Sequence, residues 1–88
     1  MKKTISLNIG AMSFAFNVNV QDHSDFIDAT ARGQSVTAAS HNFTMRTISA
    51  EQKDEFKKLL ETNPGAELQI ASFLKAEFSP MLDITVKK

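Results

Sequence analysis

Apolar and polar residues alternate without a break at the start of the chain, with Ile5, Leu7 and Ile9 on one side and Thr4, Ser6 and Asn8 on the other. A period of two marks a strand with one buried face, and it predicts a strand over residues 3–9. Phe14, Phe16, Val18 and Val20 repeat the pattern. Between the runs, Gly10-Ala11-Met12-Ser13 supplies a short turn with a glycine for unusual backbone angles, so the pair reads as a β-hairpin. A hairpin alone is marginal in water, so its apolar face must pack on helices or gain another strand. Leu82, Ile84 and Val86, alternating with Asp83, Thr85 and Lys87, offer that third strand and would bring the chain ends into one sheet.

The middle of the chain carries helical spacing. Asp22 with Asp25 resembles a capping box, and Phe26 and Ile27 with Thr30 or Ala31 form a face, predicting a helix over 23–31 that Arg32-Gly33-Gln34-Ser35 ends. Residues 36–40 are small and polar and read as a loop. Residues 41–48 stay undecided: Phe43 and Met45 alternate like a strand, while Asn42, Met45 and Arg46 share one face of a short helix. Ser49 with Gln52 forms a second capping box, opening a helix to about Glu61 with Phe56, Leu59 and Leu60 as its buried stripe. Asn63 then caps a last helix with Pro64 at its first position, and Pro80 ends it near Phe78 by disfavouring helical geometry at Ser79. The very short link between these helices predicts an antiparallel pair. The order of elements gives an α+β fold in a single domain spanning residues 1–88: a small antiparallel sheet, made of the N-terminal hairpin and a C-terminal strand, covered by about three helices.

The last helix is apolar over more than one stripe, with Ala66, Leu68, Ile70, Ala71, Phe73, Leu74, Ala76 and Phe78 leaving a narrow polar line. Such a helix needs cover on two sides. Either the chain wraps it, or part of its surface meets a partner. Phe73 and Phe78 are therefore candidate partner-binding residues, with core packing as the alternative for each. Phe43, Met45 and Arg46 join them because Arg and Met are enriched at interfaces, although an arginine whose stem covers the core edge and whose head stays in water needs no partner to explain Arg46.

Composition removes several function classes. Ten basic and ten acidic residues leave no net charge, so no electrostatic partner is implied. Lys53, Lys57 and Lys58 interleave with Glu51, Asp54, Glu55 and Glu61, which describes a solvated helix face better than a nucleic-acid footprint. Cysteine is absent, which excludes disulfides and thiol chemistry and fits a reducing compartment. His23 and His41 match no metal-ligand spacing, and Asp22-His23-Ser24-Asp25 is a helix cap rather than a triad, whose members converge from separate segments. Gly10, Gly33 and Gly65 build no phosphate loop. The expectation is a non-enzymatic cytoplasmic protein with no cofactor, no metal, no membrane span and no nucleic-acid partner.

The strings His41-Asn42-Phe43-Thr44-Met45-Arg46-Thr47, Pro64-Gly65-Ala66-Glu67-Leu68-Gln69-Ile70-Ala71 and Ser79-Pro80-Met81-Leu82-Asp83-Ile84-Thr85-Val86 resemble a family of small phage and prophage tail assembly chaperones. The opening Ile-x-Leu-x-Ile-Gly strand and its Phe-x-Phe partner are similar to the same family, so the resemblance covers nearly the whole chain. It implies a protein of the host cytoplasm that acts in tail morphogenesis by binding protein. The tape-measure protein is the expected client, the tail tube protein is a further candidate partner, and a homo-oligomer fits the same role. A competing reading is a small phage nucleic-acid-binding or host-directed regulatory protein.

Overall fold

The computed structural model describes residues 2–79 and 82–87. Strands β1 (Lys2–Ile9) and β2 (Met12–Asn19) form an antiparallel hairpin in which Ile9 faces Met12 and Lys2 faces Asn19. Gly10 has φ 62 and no other residue of the tight turn has positive φ, the pattern of a hairpin turn whose first position needs a glycine. The first helix, α1 (Val20–Ala31), follows without a break. Asn19 caps it, accepting from the Asp22 amide at 2.7 Å, while the Asp22 carboxylate accepts from the Asn19 amide. The capping box expected at Asp22 and Asp25 thus begins three residues earlier, and Val20 belongs to the helix rather than to β2.

Residues 36–47 are the largest departure from the hydropathy pattern. They form one helix, α2 (Val36–Thr47), capped by Ser35, whose hydroxyl accepts from the Ala38 amide. Its buried side is Ala39, Ser40, Phe43, Thr44 and Thr47. The Thr44 hydroxyl donates to the Ser40 carbonyl and that of Thr47 to the Phe43 carbonyl, each at 2.9 Å. These bonds satisfy polar groups within the helix, so threonine can be buried at little cost. A short 3₁₀ turn (Ala50–Gln52) leads into α3 (Lys53–Thr62), and α4 (Ala66–Phe78) closes the helical part. Asn63 ends α3 instead of opening α4: its side-chain amide donates to the Leu59 carbonyl at 2.9 Å. Gly65, at φ 85, occupies the cap of α4. A left-handed backbone there favours glycine, and Gly65 takes the cap position assigned to Asn63, with Ala66 rather than Pro64 first in the helix.

The helices lie on one face of the hairpin. Helix α2 is central, packing against both α1 and α4, and α4 meets β1 as well; α3 touches α4 little, so the expected α3–α4 pair is not the main helical contact. Ile5, Phe14, Phe16, Val18, Phe43, Ile48, Phe56, Ile70, Ala71 and Leu74 form the core. The Phe56 ring meets Phe14 and Phe16 edge-on, with centroids 5.6 and 5.4 Å away. Phe26 stacks on Phe43 at 4.8 Å and ties α1 to α2.

The fold is α+β, with a two-stranded sheet among the described residues and four α-helices rather than about three. Residues 82–87 do not join that sheet: they carry no regular structure and are exposed throughout. The alternation of Leu82, Ile84 and Val86 is a strand pattern without a strand partner. Pro80 and Met81 lie outside the described residues, so the expected stop at Pro80 is not described; α4 nonetheless ends at Phe78.

Candidate partner-binding surface

The two edges of the hairpin differ. A tight turn makes Ile9 and Met12 a hydrogen-bonded pair, and alternation extends this to Leu7 with Phe14, Ile5 with Phe16 and Lys3 with Val18. The main-chain groups of the intervening residues therefore point outward. On the β2 edge they are met. Gln52 Nε2 donates to the Ser13 carbonyl and Gln52 Oε1 accepts from the Ala15 amide, both at 2.8 Å. The Ser49 amide donates to the Ala15 carbonyl at 2.9 Å, and Ile48 bridges to Phe16. On the β1 edge, no hydrogen bond among the described residues reaches the outward main-chain groups of Thr4, Ser6 or Asn8.

An apolar cleft of about 230 Å³ lies between β1 and α4, lined by Leu7, Asn8, Ile9, Gln69, Ile70 and Phe73. Ile70 is buried at its base, and Phe73 stands 64% exposed at its rim. A phenylalanine this exposed in mid-helix adds little to the core and offers apolar area to another surface. At the far end of α4, Lys3 Nζ donates to the Glu77 carbonyl at 3.0 Å, so α4 ends beside the start of β1. There Phe78 is half-buried and its ring lies 5.2 Å from that of His23. Burial, and secondarily the Lys75 ammonium, hold the His23 pKa below its ordinary value of 6.5. Its Nε2 is buried without a partner among the described residues.

A second, wider groove of about 850 Å³ is lined by residues of β1, β2, α1, α2, α3 and the turn between α2 and α3, among them Asp22, Met45, Arg46, Lys2, Lys53 and Lys57. The Arg46 guanidinium reaches Asp25 at 3.2 Å and Asp22 at 3.7 Å. It straps α2 to α1, so much of its charge faces carboxylates. Surface pairs of this kind contribute less than about 1 kcal/mol.

The five candidates drawn from the sequence are therefore dispersed. Phe43 is 3% exposed and belongs to the core. Met45 and Arg46 share the wide groove, Phe73 rims the apolar cleft, and Phe78 packs against His23. The cleft adds Leu7 and Ile9, which the strand pattern marked as core, and Ile70, which the helix pattern placed on the wide apolar face without singling it out. Their alternation shows which side of β1 is apolar, but not that α4 leaves part of it uncovered. Among the described residues no helix is long and apolar enough to cross a membrane, and no group of three or more His, Asp or Glu gathers to hold a metal.

A family model described as phage tail assembly chaperone matches residues 5–88. The fold is similar to that of a solved, uncharacterised protein from Bacillus stearothermophilus, with a TM-score of 0.75 and 24% identity over 97% of this chain and 90% of that one. None of the curated proteins compared with the chain matches it.

Proposed function

The chain belongs to the phage tail assembly chaperone family, and from that premise we propose that it binds apolar helical segments of the tape-measure protein in the host cytoplasm and keeps them soluble during tail morphogenesis. The exposed Phe73 beside the Leu7, Ile9 and Ile70 cleft is the observation that carries this reading. Helix-in-groove binding needs an apolar floor with an anchor at its rim, and the cleft supplies both. Phe73 is the anchor, Leu7, Ile9 and Ile70 form the floor, and Phe43 supports the surface from within. Met45 and Arg46, in the wide groove, and Phe78, at the end of α4, flank rather than form the grip. A client held this way is released by a competitor that buries its apolar stripe better, which requires no nucleotide.

The test is calorimetric titration with a helical segment of the tape-measure protein. Phe73→Asp is expected to weaken binding at least about tenfold, as for loss of an aromatic anchor, with the far-UV circular dichroism unchanged. Unaltered affinity sinks the assignment of the site, and loss of the fold shows that Phe73 is structural.

The convergence of Lys2, Lys53 and Lys57 on the wide groove favours a second reading, in which that groove takes phosphate. Binding to nucleic acid that falls steeply with salt would support it.

A further inference from the structure

The chain carries two incomplete halves of one sheet. The β1 edge presents the main-chain groups of Thr4, Ser6 and Asn8 without a partner among the described residues. Residues 82–87 present a strand pattern without a sheet, with Leu82, Ile84 and Val86 exposed at 73%, 80% and 84%. An exposed apolar strand and an open edge are each liabilities that folded proteins cover. We propose that they cover each other between two copies: residues 82–87 of one chain add as a strand to the β1 edge of the second, and the second returns its own segment to the first.

Three features support a second copy as the occupant. The lengths agree, since six extended residues span about 20 Å and the eight of β1 about 26 Å. The faces agree too. With Leu82, Ile84 and Val86 turned to the side of Leu7 and Ile9, the added strand lays its apolar residues along the cleft rimmed by Phe73, so that second copy and client compete for it, and Asp83, Thr85 and Lys87 remain in water with Thr4, Ser6 and Asn8. Finally, a single chain leaves both halves unmet. Helix α4 delivers its end to the Lys3 end of β1, yet residues 82–87 are exposed and pair with no strand among the described residues, and the molecule measures 52 Å in length against 27 and 21 Å across. Reciprocal exchange closes the arrangement with two-fold symmetry and leaves no further edge of this kind.

The proposal stands without any client, and its test uses the full chain alone. Because the chain has no cysteine, introduced thiols report on one pairing at a time. An equimolar mixture of Ser6→Cys and Thr85→Cys chains, mildly oxidised, is expected to give a disulfide joining the unlike chains, identified by peptide mass. Thr4→Cys replaces Ser6→Cys as a second partner in case the register shifts by one residue pair. Sedimentation equilibrium is expected to show a dimer that Ile84→Asp weakens at least about tenfold, as for loss of a buried isoleucine, while the Tm of the protein diluted to monomer is unchanged. A chain that stays monomeric to millimolar concentration overturns the proposal. So does a disulfide that forms within single chains of the double variant at high dilution while the mixture forms none, because the segment then folds back on its own β1.

Discussion

The two edges of this hairpin are made from the same kind of strand and meet different fates. Along β2, the turn after Ile48 runs close enough for Gln52 to bond Ser13 and Ala15 in the manner of another strand, and Phe56 fills the space behind. Along β1, helix α4 covers the apolar face but not the edge, and it leaves Phe73 outside. An edge closed by side chains belongs to the stability of the monomer. An edge left open beside apolar surface belongs to its encounters, and this division is what locates the candidate surface.

Substitutions on the closed side should be costly, beginning with Phe56→Ala. Removing a fully buried ring that contacts both Phe14 and Phe16 is expected to cost about 3–5 kcal/mol in urea unfolding, a large share of the ~5–15 kcal/mol typical of whole domains. Gln52→Ala comes next at about 1–3 kcal/mol, because it removes two hydrogen bonds, one to the part-buried Ala15 amide and one to the exposed Ser13 carbonyl. Gln52→Glu keeps the acceptor and loses the donor, so its cost should fall between wild type and Gln52→Ala. Equal stability of all three would mean that the β2 edge needs no closure.

A matched pair of prolines compares the edges directly. Ala15→Pro removes an amide bonded to Gln52, whereas Ser6→Pro removes one that points outward without a partner. The first is expected to be more destabilising by about 1–2 kcal/mol. The second should leave a folded monomer that no longer self-associates. A smaller effect belongs to His23. Its folded pKa lies below the ordinary 6.5, first through burial and then through Lys75, so the unfolded chain takes up the proton first as pH falls. The stability contributed is full above the ordinary pKa and declines as pH drops from there through the folded value. Urea midpoints compared at about pH 7.5 and about pH 5 should therefore fall less in His23→Gln than in wild type.

Much of this architecture is legible in the hydropathy pattern, and the exceptions have physical causes. Ile5, Leu7, Ile9, Phe14, Phe16 and Val18 alternate because one face of the hairpin is buried, so both strands can be read directly. Helix α2 cannot, because the residues it buries at Ser40, Thr44 and Thr47 look polar in sequence. The hydroxyls of Thr44 and Thr47 are satisfied by the carbonyls of the preceding turn, and that of Ser40 is buried without a partner among the described residues. The repeat of 39–40, 43–44 and 47–48 at intervals of four is the signal that could have revealed that face. Asn63 reads as a cap for α4 by residue type, but sequence alone does not say which of two adjoining helices an asparagine serves; here it serves α3. Gln52 resembles the far member of a capping box and instead reaches across to β2, a long-range contact that local spacing cannot register.

The candidate site was less legible than the fold. Phe73 and the core residue Phe43 are the same residue type in comparably apolar surroundings, and their burial depends on which side of each helix the sheet approaches. The C-terminal alternation was readable as a strand pattern, but a strand needs a neighbour, and none is supplied by this chain's described residues.

Amide hydrogen exchange resolved by residue, followed from dilute to concentrated protein, tests the contrast between the edges most directly. In dilute solution the amides of Thr4, Ser6 and Asn8 should exchange rapidly while that of Ala15 is protected, and with rising concentration the first three should slow while Ala15 changes little. Protection of Thr4, Ser6 and Asn8 already equal to that of Ala15 in the dilute monomer would contradict the account, because the β1 edge would then be closed within a single chain.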